Sequence, residues 1–375
     1  MSDVTGSFAV QWLWIGDAPE NSLDGLQRPL TTSRAGALVA EIARVVPEQL
    51  DFHSSWGLFR FLSELDDACF AQGPVDSIKL DCSQLRFVDP LGLCALAHTL
   101  ETLEAVGIEV HVEELSANLS GYLDRMDLFK ACKVTGAASM VGMRRSRETS
   151  LVELRSLDDH ARVDELASRL TTAVVGGMPE VGCVEDPDGM YANPMEQLSV
   201  TLQYVLVELL ENALTHGRTR GYNTAKVWVA AQYYPRKENI RLAIVDNGCG
   251  FLETLRGHPK LAHEMHLDAI ETALAPRVSR NRDVDLGTDA RNQGIGLTMI
   301  REIARNSRGK MSLCSGDGWL LDVHTGKTFR NTIPPWQGVA ASLELYRPSL
   351  LAVNISSITR GLPGYEVSLD LRFED

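Results

Sequence analysis

The stretch PMEQLSVTLQYVLVELLENALTHG, residues 194–217, limits the fold more than any other part of the chain. Proline suits the first turn of a helix and glycine its end, so Pro194 and Gly217 predict one long helix between them. With about 100° per residue and Glu208 at 0°, Asn212 falls at about +40°, Thr215 at about −20°, Tyr204 at about −40° and Glu211 at about −60°. Val205, Leu206, Val207, Leu209, Leu210, Ala213 and Leu214 fill the remaining arc. A narrow polar stripe therefore runs along an otherwise apolar cylinder. Burying an unpartnered carboxylate or amide is costly, so such a stripe either faces solvent or lines a site that supplies partners. An amphipathic surface helix shows a wider polar face than this one.

The flanking sequence sets the helix in an α/β context. Before it, SLVELRSL reads as a strand and DDHARVDELASRLTTAVVGG as a capped helix. After it come AKVWVAAQYY and IRLAIVD as strands, a long polar and helical insertion at 251–293, and GIGLTMIREIARNS as a helix. Strands around MSLCSG, WLLDV and GVAASLELY close the sheet. Earlier in the chain, IKLDCS, PLGLCALAHTLETLEAVG, IEVHVEEL and SANLSGYLDRMDLF alternate strand, helix, strand, helix, the pattern of a layered α/β domain. FAVQWLWI reads as an opening strand, 17–35 as a loop and SWGLFRFLSELDDACFAQG as a helix. Periodicity fails in CKVTGAASMVGMRRSRE, and 375 residues suffice for two cores, so the expected organisation is an N-terminal domain at 1–133, a linker at 134–148, a second domain at 149–346 and an extension at 347–375.

The chemistry concentrates in three ordered stretches. IRLAIVD runs into Asp246-Asn247-Gly248-Cys249-Gly250, and Gly294-Ile295-Gly296-Leu297 opens a later helix. Glycine lets a backbone approach a ligand closely, and free N–H groups at a helix start suit phosphate. An acid at the end of a buried strand can accept a hydrogen bond from an exocyclic amine. Together ELLENALTHG, DNGCGF and QGIGLTMI resemble the N box and two glycine boxes of the GHKL superfamily, the Bergerat-fold ATP-binding domains of DNA gyrase B, heat-shock chaperones, histidine kinases and anti-sigma-factor kinases. The resemblance implies an α/β sandwich over about 149–346 that takes ATP and Mg²⁺. It gives Asn212 the Mg²⁺, Glu208 the role of general base and Asp246 the adenine amine, with Gly248, Gly250, Gly294, Gly296 and Leu297 lining the base and the phosphate lid. Histidine kinases more often carry an amide at the position of Glu208, and the ending N-A-x-x-H-G is closer to the anti-sigma kinases. The long 251–293 insertion and GVAAS in place of the family's Gly-Thr are departures. Guanidinium groups of Arg277, Arg280, Arg282 and Arg291 in the lid suit phosphate oxygens, although a mixed charge run is also what a solvated loop contains.

The N-terminal half, through KLDCSQLRFVDPLGLCALAHTLETLEAVGIEVHVEEL, resembles the STAS fold of anti-sigma-factor antagonists. There a strand leads into Asp-Ser-Ser/Thr-Gly-Leu at a helix start. Here the segment is Asp89-Pro90-Leu91-Gly92-Leu93, and neither Pro90 nor Leu91 has a hydroxyl to phosphorylate. The expected role is a constitutive docking or dimerising surface without a phosphoswitch.

Several features are set aside. His324-Thr325-Gly326-Lys327-Thr328 is not a P-loop, because Leu321 stands where glycine is needed and FRNTIPPW cannot continue as a helix. His263-Glu264-Met265-His266 is one residue short of H-E-x-x-H. His160 lacks the context of a phospho-acceptor, and His216 is read as a helix-end cap. Seven cysteines are scattered without a C-x-x-C pair, which indicates neither zinc nor a disulfide framework. With 36 basic and 50 acidic residues the chain lacks the footprint of a nucleic-acid binder. No apolar run suggests a membrane span, and the N-terminus lacks a signal-peptide pattern, so a cytoplasmic location is expected. The leading expectation is an ATP-driven conformational switch that hydrolyses Mg-ATP and works through a protein partner, a second copy being one form. A serine/threonine kinase acting on a separate STAS protein and a non-hydrolysing ATP-binding module are the alternatives.

Overall fold

A computed structural model describes residues 41–70, 75–137, 145–179, 182–185, 191–218, 221–222, 224–276, 278 and 295–361. Strand FAVQWLWI, loop 17–35, Gly294 and the lid arginines lie outside them. Strand β1 (Glu41–Val45), β2 (Gln49–Leu50), helix α1 (Ser55–Phe70), β3 (Ser77–Asp81), β4 (Phe87–Val88), α2 (Pro90–Ala105), β5 (Glu109–Glu113), α3 (Ala117–Arg125) and α4 (Leu128–Ala131) make the N-terminal half. β1, β3 and β5 form a parallel sheet in that order, and β2 pairs with β4. Parallel pairing requires crossovers, which α1 and α2 supply. The start of α2 is dictated residue by residue. Asp89 caps it by accepting from the Gly92 amide at 3.1 Å, Pro90 takes the first turn, and a side chain at Gly92 would lie 2.0 Å from the Leu50 carbonyl.

The second half runs β6 (Leu151–Leu157), α5 (Val163–Val175), β7 (Val184–Glu185), β8 (Tyr191–Ala192), α6 (Pro194–Gly217), β9 (Val227–Tyr234), β10 (Asn239–Asp246), α7 (Gly250–Leu255), α8 (His266–Ala273), α9 (Gly296–Asn306), β11 (Lys310–Val323), β12 (Thr328–Tyr346), α10 (Arg347–Leu350) and α11 (Ile355–Gly361). Five strands form an antiparallel sheet in the order β11-β12-β10-β9-β6. The expected three closing strands are instead one long hairpin. MSLCSG and WLLDV belong to β11, and FRNTIPPW is part of β12. Register shifts at Ser315, Gly316 and Gly318 absorb the break that the glycines and the Pro334-Pro335 pair introduce. His324 to Lys327 form the turn of this hairpin.

Every residue of β10 is buried. Antiparallel sheets commonly leave one face to water, and this one does not. Its even-numbered positions, Ile240, Leu242 and Ile244, pack with Leu202, Leu206, Leu210, Ile300 and Ile303 of α6 and α9. Its odd-numbered Ala243 and Val245, with Trp228, Ala230, Trp336 and Ala340, share a core with Leu58, Leu62, Leu93, Leu96, Leu100 and Leu103 of α1 and α2. The two α/β domains therefore lie within one unit, and a single apolar core crosses from one to the other.

Polar contacts across this junction are specific. Glu101 accepts from the Trp228 indole at 2.9 Å and from Lys226 at 3.3 Å, and the Tyr122 hydroxyl donates to Gln232 at 2.9 Å. Arg241, an odd position of β10 with about 1% exposure, donates to Asp89 at 3.1 Å and to Glu344 at 2.8 Å, and lies 3.7 Å from Asp51. Burial pushes the Asp89 carboxyl up to about 6, a rise only partly offset by the Phe52 amide, Arg241 and the Gly92 amide. Burial also raises Glu344, but the His53 hydrogen bond and the charges of Arg241 and Lys310 outweigh it and hold that carboxyl at about 2. All seven cysteines are free thiols.

Candidate nucleotide site

On the face of the sheet that α6 and α9 cover, these two helices with β10, α7 and β12 line a cavity of about 130 Å³. The expected residues Glu208, Asn212, Asp246, Gly250 and Leu297 line it together. Glu208 is buried, and Asn212 one turn on is half-buried. The cavity is met by the arc from Glu208 through Asn212, His216, Leu209 and Ala213. The other side of the predicted stripe differs, because Tyr204 and Thr215 are exposed. The stripe thus divides into a site edge and a solvent edge.

Asp246 ends β10 with about 4% exposure. Its Oδ1 accepts from the Gly248 amide at 2.9 Å and the Val339 amide at 3.2 Å, which leaves Oδ2 for a ligand. Burial pushes its carboxyl up to about 7, against the pull of these two amides.

The loop after Asp246 is held by close backbone approaches. A Cβ at Gly248 would stand 2.3 Å from the Gly217 Cα, and the Cys249 amide donates to the Gly217 carbonyl at 3.1 Å. The glycine box is thereby pinned to the end of the α6 helix. Gly250 has φ +75° and opens α7, where the Phe251 amide donates to the Ser315 hydroxyl at 3.1 Å. Asn247 accepts from the Lys226 amide at 2.8 Å. At the other wall, a Cβ on Gly296 would come within 2.9 Å of the Glu208 carboxylate, so α9 starts directly against that acid.

Ile244, Phe251, Thr254, Leu255, Ala273, Val278, Val339 and Ala341 complete the lining, and sequence reasoning missed all of them. Two could have been found by strand arithmetic, since Ile244 lies two residues before Asp246 and pairs with Ala341. His216, read as a cap, also lines the cavity. The residues present fit a nucleotide and its metal: a buried acceptor faces apolar walls suited to a base, and a carboxylate and an amide stand where a helix begins. Among the described residues no group of three His, Cys, Asp or Glu could hold a metal without a ligand's help, and no helix is long and apolar enough to cross a membrane.

Residues 197–337 match the family of histidine kinase-, DNA gyrase B- and HSP90-like ATPases, and residues 26–136 match the STAS domain. The chain thus carries a STAS domain followed by a GHKL ATPase domain. No curated protein matches it.

Proposed function

We propose that this protein is an ATP-driven conformational switch that binds Mg-ATP in the cavity between α6 and α9 and hydrolyses it. The family assignment supports an ATP-binding signalling module of the GHKL type. The observation that carries the reading is the convergence on one cavity of Asp246 with Glu208 and Asn212, one turn apart on α6 and more than thirty residues earlier in the chain. Asp246 would accept the adenine amine through Oδ2 and fix the base. Asn212 would hold Mg²⁺, which when bound neutralises phosphate charge. Glu208 of α6, packed against the start of α9, would accept the proton of the attacking water. The chain would act in the cytoplasm on a protein partner, the usual use of a STAS domain.

A second reading, a serine/threonine kinase acting on a separate STAS protein, draws on the N-A-x-x-H-G end of α6. Incubation with [γ-³²P]ATP, alone and with a cell lysate, separates the two. Phosphate release without an acceptor supports the switch, and label on a partner's hydroxyl supports the kinase. Neither release nor transfer leaves a module that holds ATP without turnover.

A further inference from the structure

Four consecutive residues of β12 touch both the STAS domain and the adenine end of the cavity. Trp336 is buried in the junction core, its ring 5.2 Å from Phe59 of α1 and 5.2 Å from His98 of α2. Gln337 donates from Nε2 to the Gly248 carbonyl at 2.6 Å. Gly338 has φ +87°, and a Cβ there would lie 2.2 Å from the Asp246 carbonyl. Val339 donates its amide to Asp246 Oδ1. Side chains alternate along a strand, so a residue anchored in the STAS core fixes the backbone that holds the nucleotide loop.

We infer that Trp336 to Val339 is a positioning segment of the nucleotide site, through which seating of the STAS domain holds Asp246 and the Gly248 loop in the geometry that receives adenine. The inference rests on the nucleotide reading of the cavity. Its content is a coupling: whatever shifts Trp336 in the junction changes nucleotide affinity, and nucleotide must shift Trp336 by the same free energy in return. The indole N–H of Trp336 and Nδ1 of His98 both lack a hydrogen-bond partner among the described residues, although the rings are neighbours. An arrangement in which the two met would satisfy both groups.

The test uses the full chain, with ADP affinity measured by calorimetry below the melting transition, in wild type, Gln337→Leu, Trp336→Phe and Tyr122→Phe. Loss of the Gln337 hydrogen bond is expected to weaken ADP about fivefold, and Trp336→Phe to weaken it to a similar degree. Tyr122→Phe removes a junction hydrogen bond at the far end of β9, so it should lower the melting temperature and leave ADP affinity unchanged. In wild type, ADP should change tryptophan fluorescence, and most of that change should vanish in Trp336→Phe. Equal affinities in wild type, Gln337→Leu and Trp336→Phe would overturn the positioning role while the nucleotide reading stands. Parallel weakening in all three variants would reduce it to general destabilisation. No binding by wild type would remove the nucleotide reading and this inference with it.

Discussion

Asp246 is the residue whose chemistry can be tested most directly. Its carboxyl sits near 7 in the folded chain against an ordinary 3.8, because burial disfavours the charge. The folded state therefore keeps a proton that the unfolded state has released, and this group's contribution to stability, full below about 4, is lost as pH rises through about 7. An adenine amine needs the ionised form, so nucleotide binding should weaken on acidification below about 7, approaching tenfold per pH unit. ADP affinity at pH 8 and pH 6 in wild type and Asp246→Asn checks this, since both proteins share the phosphate's own titration. A pH slope equal in the two would sink the assignment. At 100 times the dissociation constant, nucleotide should stabilise wild type by about 2.7 kcal/mol and the variant by far less. Glu208→Ala is expected to keep binding and lose about 10²- to 10⁴-fold in turnover, while Asn212→Ala should lose the Mg²⁺-dependent part of binding. Equal affinity losses in both would make Glu208 structural. These polar residues were legible in sequence because a buried acid or amide has few other uses. The walls were not, since Phe251 or Val278 looks like any core residue until the chain is folded.

At the scale of elements, the α6 boundaries Pro194 and Gly217 emerge as the sequence predicts, because a proline start and a glycine end are local signals. The β11–β12 hairpin was misread because a 19-residue strand with two prolines contradicts local propensity, and only pairing with β11 across a bulge accommodates it. Strand β1 was missed altogether. Its EIARV residues alternate only between exposed and half-buried, so none is fully buried to mark a core-facing side. Glycines separate local from non-local demands. Gly57 in α1 has nothing within 4 Å of a Cβ, so Gly57→Ala should stabilise by about 0.5–1 kcal/mol. Gly248 faces backbone that cannot yield, so Gly248→Ala should destabilise by about 1–3 kcal/mol and abolish nucleotide binding. Thermal melts with and without ADP measure both, and a neutral Gly248→Ala would refute the close approach between the glycine box and α6.

For the whole molecule, the decisive feature is one that no local pattern announces: the STAS motif face is buried against the second face of the ATPase sheet. Asp89 is fully buried, one oxygen accepting from Gly92 and the other from Phe52 and Arg241, and Pro90 and Leu91 are buried beside it. The missing hydroxyls thus have a structural counterpart, a motif used as an intramolecular contact. Protein incubated with Mg-ATP, alone and with lysate, should carry no phosphate within residues 78–95 by peptide mapping. Stoichiometric label there, for example on the exposed Ser83, would contradict this use of the motif. The charge balance of the contact makes a sharper demand. Arg241 is the strand residue that answers Asp51, Asp89 and Glu344; Glu344 also has Lys310, but removing Arg241 leaves the buried Asp51 and Asp89 without their cation. Arg241→Met should therefore cost about 3–5 kcal/mol. Asparagine caps a helix as well as aspartate does and carries no charge. Asp89→Asn should thus be milder alone, and in the Arg241→Met background it should restore part of the lost stability, a coupling of about 0.5–3 kcal/mol in a double-mutant cycle by denaturant unfolding. Strict additivity would mean that Asp89 and Arg241 do not hold the two domains together, and the junction would then rest on its apolar core and the contacts of Glu101 and Tyr122.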